Sequence, residues 1–253
     1  MSEPSIVIGA TDAPLIETTI GAYFDAACAT HADELALISR HQGVRLTYAA
    51  FGRKVEALAC GLMRLGLCVG DRVAIWSQNN EEWALTQFAT AKAGLILVNI
   101  NPAYRLAELE YAIDKVGCRA LILSPSFKSS DYLAMIATLA PELATAAAGA
   151  LSAARLPSLD WVIRLGEDAT PGMLNFSALL AEPSEAERAA LAARGAGLKA
   201  TDPINIQFTS GTTGHPKGAT LTHRNILNNG RFVGDAIRLR PGERLCIPVP
   251  LYH

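Results

Sequence analysis

The sequence has little of what marks several large classes of protein. Its 253 residues include five cysteines, which lie far apart and form no C-x-x-C pair or other zinc-ligand spacing. Because their number is odd and they are scattered, we predict small buried thiols in a reducing compartment, without disulfides or metal ligands. The five are Cys28, Cys60, Cys68, Cys118 and Cys246.

Charge of one sign and long apolar runs are also missing. The formal net charge is −2, so the chain lacks the polybasic surface with which proteins bind nucleic acids or anionic membranes. No apolar run approaches the length of a transmembrane segment, and residues 1–4 lack the positive charge that opens a signal peptide. We therefore predict a cytoplasmic protein.

Hydrophobic residues make up 50% of the chain, which is enough for a large core. In the first half, apolar strands alternate with amphipathic helices, and this order predicts an α/β fold whose parallel or mixed sheet is covered by helices on both faces. The predicted strands are 35–40, 44–47, 72–76, 95–100, 119–123 and 161–165. The predicted helices are 48–65, 81–92 and 106–116.

Four later segments also have a predicted structure. The alanine-rich stretch 131–155 is predicted to be helical and peripheral, with an interruption at Pro141. A surface helix over 184–194 has a capping box at its start, and a second helix over 223–237 begins after Thr222. Residues 244–247 are predicted to start a further strand.

The most informative stretch is 209–218, which combines glycines, hydroxyls and one lysine in ten residues. Glycines let the backbone turn tightly and present N–H groups, while hydroxyls and an ammonium group bind anionic oxygens. The stretch therefore predicts a phosphate-binding loop; the alternative is a flexible surface turn, since the same residue types mark turns. The residues concerned are Thr209, Ser210, Gly211, Thr212, Thr213, Gly214, Lys217 and Gly218.

This loop differs from the Walker A site, which has glycine directly before the lysine and Ser or Thr directly after it. Here Pro216 precedes Lys217, and Gly218 follows it. Residues 204–208 are predicted to form a strand that enters the loop, and 219–222 an extended segment that leaves it. The phosphate would thus be held between two strands.

The loop resembles the phosphate-binding signature of the adenylate-forming (AMP-binding) superfamily, which includes acyl-CoA synthetases, luciferases and the adenylation domains of peptide synthetases. The match extends through 222–225, and 250–253 looks like the opening of the next family segment. Residues 99–105 are similar to fatty-acyl and related acyl-CoA synthetases. The resemblance implies the N-terminal part of a longer enzyme, divided into an N-terminal segment with a hairpin (1–46), an α/β subdomain (47–200), and a phosphate-loop strand pair with the start of the next subdomain (201–253).

The resemblance also implies a reaction and its participants. A carboxylic acid, fatty or otherwise hydrophobic, would attack the α-phosphorus of ATP to give an acyl-adenylate and pyrophosphate. Coenzyme A would then displace AMP to give a thioester. Lys217 would neutralise the β- and γ-phosphates, the loop hydroxyls and glycines would bind them, and Mg²⁺ would bridge their oxygens. His253 would steer the carboxylate, unless it is only a frayed terminal residue. Enzymes of this kind are often homodimers.

Other functions stay open at this stage. The chain would also suit an aryl-acid ligase, an adenylation domain that serves a carrier protein, or a non-catalytic module that binds nucleotides. In the superfamily, the residues that hold adenine, metal and coenzyme A, together with a catalytic lysine, lie beyond the position of His253. We therefore expect these 253 residues alone to be inactive.

Overall fold

The computed structural model describes residues 13–209 and 216–252, which form an α/β fold. Its helices are α1 Ile20–Thr30, α2 Tyr48–Arg64, α3 Glu81–Ala93, α4 Leu106–Val116, α5 Tyr132–Leu139, α6 Glu185–Ala196 and α7 His223–Ala236. Its strands are β1 Leu35–Ser39, β2 Val44–Thr47, β3 Arg72–Trp76, β4 Ile96–Asn99, β5 Cys118–Leu123, β6 Ser126–Phe127, β7 Ser130–Asp131, β8 Trp161–Arg164, β9 Leu174–Asn175, β10 Pro203–Thr209 and β11 Lys217–Thr222.

Seven strands form the central sheet in the order β11-β10-β4-β3-β5-β8-β9. All neighbours are parallel except β10 and β11, which confirms the predicted α/β fold with a mostly parallel sheet. The chain moves from β3 to β4 on one side and then to β5 on the other, so β3 marks a switch in direction. Such a switch opens a crevice at the carboxyl ends of the strands, where α/β proteins bind ligands.

The core lies on both faces of this sheet. Along β3, Val73 and Ile75 pack in the cluster that contains α2 and α3, whereas Ala74 and Trp76 pack with α4 and α5. All four side chains are fully buried. Strands buried on both faces need continuous apolar runs, and this is the pattern from which the parallel sheet was predicted.

Local signals placed the helix ends correctly. The Thr47 hydroxyl accepts a hydrogen bond from the N–H of Ala50 at 3.2 Å and caps α2. The predicted capping box at Ser184 and Glu187 opens α6, and Thr222 caps α7. Gly117 ends α4 with φ at 62°, a left-handed conformation that glycine adopts without strain.

Arg72, the first residue of β3, connects this strand to α4. Its guanidinium donates to the carbonyls of Val116 at 2.6 Å and Gly117 at 2.8 Å. These carbonyls lie at the C-terminal end of α4, where a positive charge is favourable. Arg72 thereby fastens α4 to the start of β3.

The prediction for residues 131–155 was partly wrong. The helix α5 ends at Leu139, a short 3-10 turn covers Pro141–Ala144, and the rest is irregular. The stretch is not peripheral, because Tyr132, Ile136 and Leu139 are fully buried in the second core cluster. The large side chains set among the alanines fill the space beside Trp76, on which the Tyr132 ring stacks.

Two further segments differ from the prediction. Residues 244–247 form no strand, and Leu245 and Ile247 are more than half exposed. No strand in the described parts of the chain pairs with these residues, so their β-propensity alone does not make them a strand. Conversely, α1 was missed because its apolar and polar residues are poorly segregated around the helix.

The thiols are less uniform than predicted. Cys60 and Cys118 are buried, Cys28 is half-buried, and Cys68 and Cys246 are exposed. Burial raises the pKa of the Cys118 thiol to about 12, so this group stays protonated. The two exposed thiols lie in turns and loops, which offer no apolar surroundings.

None of the helices that the structure describes has both the length and the apolar character that crossing a membrane requires. The strands on both sides of the predicted boundary at residue 200 join one sheet. The division into 1–46, 47–200 and 201–253 stays a prediction.

Candidate functional site

The candidate phosphate loop is the tip of the β10–β11 hairpin. The antiparallel register pairs Thr209 with Lys217, and the Thr209 hydroxyl donates to the Lys217 carbonyl at 3.4 Å. This pair joins the two ends of the predicted loop, as expected from the two predicted flanking strands. Ser210, Gly211, Thr212, Thr213 and Gly214 lie outside the described residues, as does His253.

Lys217 and Gly218 begin the returning strand. The Lys217 side chain is exposed at the sheet edge, where it is free to meet an anion from solvent. Gly218 faces Phe208 across the hairpin, and a β-carbon added to it would lie 3.1 Å from the Ile206 side chain. Gly218 therefore also serves the packing of the strand pair, in addition to its predicted role in binding phosphate.

Tyr111 connects this hairpin to α4, which covers the face of the sheet that carries Ala74 and Trp76. It lies on α4, and its hydroxyl donates to the Pro216 carbonyl at 3.3 Å, one residue before Lys217. The contact fixes the backbone from which the lysine projects. Sequence reasoning missed it, because the two residues are 105 positions apart.

Asn79 holds the last described residues against the same edge. It follows β3, and its side chain donates to the Val249 carbonyl at 2.8 Å and accepts from the Leu251 N–H at 2.7 Å. An amide that forms both bonds holds the backbone of residues 249–251 in place. The segment that leads to His253 is thus brought to the carboxyl ends of β3 and β4.

The predicted segment 99–105 lies at this edge too. The Trp76 indole N–H donates to the Asn101 carbonyl at 3.2 Å, and the Tyr132 hydroxyl donates to the Pro102 carbonyl. The Asn101 side chain accepts from the Ala103 N–H at 2.9 Å and makes the turn tight. Three loops therefore converge where β3, β4 and β10 end.

A cleft of about 1060 Å³ opens beside the hairpin, between the sheet and helices α1, α3 and α7. Apolar side chains, among them Phe88, Ile226 and Leu251, form much of its wall. Its floor includes the carboxamides of Asn99, Asn205 and Gln207. A cleft with apolar walls and a few polar groups suits an organic ligand.

His223 anchors α7 behind the hairpin. It is fully buried, and its Nδ1 accepts a hydrogen bond from the Ile20 N–H at 3.1 Å. Burial lowers the pKa of His223, against the smaller opposing effect of the Asp202 carboxylate. The neutral ring thus links the first turns of α1 and α7.

We expect His223 to make the protein less stable in mild acid. Its pKa in the folded state lies below the ordinary value of 6.5, so the unfolded chain binds the proton more tightly. The stability is therefore complete above pH 6.5 and falls as the pH drops toward the folded pKa, by up to about 1.4 kcal/mol per pH unit. Urea unfolding at pH 7.5 and 5.0 measures this fall.

His223→Asn keeps an acceptor for the Ile20 N–H and should flatten the pH dependence over this range. The control His41→Asn alters an exposed histidine and should leave it unchanged. A slope that is the same in wild type and His223→Asn would contradict the assignment.

Comparison with known proteins agrees with this geometry. The family model for AMP-binding enzymes matches residues 24–253. The chain is 44% identical over 251 residues to the mitochondrial medium-chain acyl-CoA ligase ACSF2 of Danio rerio, covering 98% of this chain and 41% of that protein. The corresponding human protein is 42% identical, with the same coverage. The chain thus spans about two fifths of the length of these relatives.

Solved structures share the fold. A long-chain-fatty-acid-CoA ligase from Archaeoglobus fulgidus superposes with a TM-score of 0.75 at 21% identity, covering 99% of this chain and 46% of that one. The N-terminal domain of FACL13 from Mycobacterium tuberculosis gives 0.73 at 24% identity, covering 93% and 52%. At these identities the likeness concerns the fold alone.

Proposed function

Because the chain belongs to the AMP-binding enzyme family, we propose that the natural protein activates a carboxylic acid with ATP and transfers the acyl group to coenzyme A. The observation that supports the proposal is the β10–β11 hairpin. It places Thr209 and Lys217, which flank the glycine- and hydroxyl-rich segment, at the carboxyl ends of the parallel strands. The acyl-CoA ligase names of the relatives support the same reaction.

In this proposal the chain's own groups act by position and charge. The acid carboxylate needs no base to attack the α-phosphorus, and the leaving pyrophosphate gains negative charge, so catalysis depends on charge neutralisation. Lys217 supplies one positive charge, while Thr209, Ser210, Thr212 and Thr213 supply hydroxyl donors. His253 orients the carboxylate beside the 249–251 segment that Asn79 holds.

Mg²⁺ bound to the phosphate oxygens would add further positive charge. Among the residues that the structure describes, no group of three His, Cys, Asp or Glu side chains is placed to hold a metal ion. In this proposal Lys217 supplies positive charge from the chain itself.

We propose a hydrophobic acid of medium length as the substrate. The cleft beside the hairpin has apolar walls and reaches Leu251, next to the segment that leads to His253. Its volume of about 1060 Å³ accommodates such a chain, and medium-chain acids appear in the relatives' names. An aryl acid or a carrier-protein acceptor stays the alternative.

The test is acid-dependent pyrophosphate release by the natural protein in its full length. We expect release with octanoate, ATP and coenzyme A, weaker release with acetate and benzoate, and octanoyl-CoA as the product. Release without thioester formation would favour a carrier-protein acceptor. The absence of release with every acid would overturn the proposal and favour a non-catalytic nucleotide-binding module.

A separate expectation concerns the 253-residue chain alone. The relatives named as ligases are longer, and this chain covers 41% of them, so we expect no measurable adenylation from it. Measurable acid-dependent pyrophosphate release by the purified chain would contradict this. The cytoplasmic location and the homodimer also stay predictions; the animal relatives are named as mitochondrial proteins.

A further inference from the structure

Asn79 connects two segments that lie far apart in the sequence. Its side chain donates to the Val249 carbonyl at 2.8 Å and accepts a hydrogen bond from the Leu251 N–H at 2.7 Å. The residue between these two is Pro250, which has no N–H to donate. The carboxamide therefore uses its donor and its acceptor on the two backbone groups that flank the proline.

The backbone that carries Asn79 is itself held in place. It lies in the turn between β3 and α3. Before it, the hydroxyls of Ser77 and Ser124 lie 2.5 Å apart, and both residues are buried. After it, the Asn80 carboxamide accepts from the Trp83 N–H at 2.8 Å and donates to the Ser77 hydroxyl at 2.8 Å. The position of Asn79 is thus fixed without help from the segment that it binds.

The bound segment, residues 244–251, has few other attachments. It forms neither helix nor strand, and Val249 is more than half exposed. Within the described ranges 13–209 and 216–252, the hydrogen bonds between this segment and the rest of the protein are the two made by Asn79. Leu251 and the following Tyr252 also pack against the core cluster that contains α2 and α3. Such apolar contacts are not directional, so they fix a backbone less sharply than hydrogen bonds do.

Leu251 is also part of the wall of the large cleft. Its N–H is the group that Asn79 binds, so this bond helps to set where the Leu251 side chain lies. The β10–β11 hairpin is held separately, by its own strand pairing and by the Tyr111 hydroxyl on the Pro216 carbonyl. Asn79 therefore fixes the cleft wall independently of the hairpin.

We propose that Asn79 is a positioning residue for the acid, because it holds Leu251 in the wall of the cleft; this rests on the proposed function. A wall that is already in place binds an apolar chain better than one that must be ordered on binding, since ordering costs conformational entropy. Loss of the Asn79 carboxamide therefore weakens acid binding. ATP binding, which in the proposed function uses the hairpin and Lys217, keeps its strength.

The first test is the steady-state kinetics of Asn79→Ala in the natural full-length protein, with octanoate, ATP and coenzyme A. We expect the KM for octanoate to rise about tenfold, because both hydrogen bonds to the segment are lost, while the KM for ATP stays within about threefold. A residue that only stabilised the fold would lower the amount of active enzyme and leave both KM values unchanged. An unchanged KM for octanoate would overturn the inference.

A double-mutant cycle tests whether Asn79 acts through Leu251. Leu251→Ala removes the side chain from the cleft wall and leaves the backbone groups that Asn79 binds. If Asn79 positions this side chain, adding Asn79→Ala to Leu251→Ala should raise the KM for octanoate by less than about threefold. Additive effects would show that the two residues act independently, which contradicts the proposal.

The matched control is Asn175→Ala. The Asn175 carboxamide also bonds two backbone groups, the carbonyls of Gly166 at 2.9 Å and Asp168 at 3.2 Å, but it does so at the far edge of the sheet. Its removal should leave the KM for octanoate at the wild-type value. A rise equal to that of Asn79→Ala would show that the effect is not specific to the cleft and would overturn the inference.

Hydrogen–deuterium exchange of the full-length protein gives a readout that does not depend on activity. The Leu251 amide should exchange at least about fivefold faster in Asn79→Ala than in wild type or Asn175→Ala, because its acceptor is gone. Equal rates would overturn the inference even if acids are activated, and the proposed function would stand. If exchange changes as expected but wild type activates no acid, the proposed function fails, and the role of Asn79 in acid binding fails with it.

Discussion

Lys217→Ala should lower kcat/KM for ATP in acid activation by about ten- to a hundredfold, while the affinity for AMP changes by less than about threefold. A charge-assisted hydrogen bond contributes roughly 1.5–3 kcal/mol, and about 1.4 kcal/mol corresponds to a factor of ten. Lys217 starts the strand that leaves the loop, so in the proposed function its charge meets the β- and γ-phosphates, which AMP lacks. Steady-state assays of pyrophosphate release measure kcat/KM for ATP, and binding titrations measure the affinity for AMP.

Lys199→Ala is the matched control for this prediction. Lys199 is also exposed, but it lies just before β10, at the end of that strand away from the loop. Its removal changes the net charge equally and should leave both quantities near the wild-type values. Equal losses of ATP and AMP binding in Lys217→Ala would show that the lysine does not act on the terminal phosphates.

The parts of the fold that the sequence predicted depend on local signals. The caps at Thr47 and Thr222, the glycine at 117 and the apolar strands each act within a few residues, so their pattern is visible in one window of sequence. The hairpin was predicted for the same reason, since the turn residues of the loop stand directly between two β-forming runs. The helix α1 lacks such a pattern and was missed.

The parts that were missed depend on contacts between distant segments. Asn79 and Leu251 are 172 residues apart, and no local pattern distinguishes this asparagine from an ordinary turn residue. The sequence alone does not reveal the cleft either, because Asn99 and Asn205 come together only through the pairing of β4 with β10. For the loop itself, the roles of Ser210 to Gly214 and of His253 stay predictions.

The second large effect concerns Gly61, in the interior of α2. A β-carbon added there would lie 2.3 Å from the Leu179 carbonyl oxygen and 3.0 Å from two further backbone atoms of Leu179. Backbone cannot swing aside as a side chain does, so Gly61→Ala must push α2 away from the turn Phe176–Leu180, whose Leu179 is buried in the same core cluster. We expect a loss of about 2 kcal/mol or more in the free energy of unfolding, despite the helix propensity that alanine adds.

Gly234→Ala should change the free energy of unfolding in the opposite direction and serves as the comparison. Gly234 also lies inside a helix, α7, and no described atom outside that helix lies within 4 Å of its added β-carbon. Alanine should therefore stabilise the protein by about 0.5–1 kcal/mol through helix propensity alone. Urea unfolding of both variants checks the pair: if Gly61→Ala were as stable as Gly234→Ala, the close approach of α2 to Leu179 would be wrong, since propensity favours alanine equally at both positions.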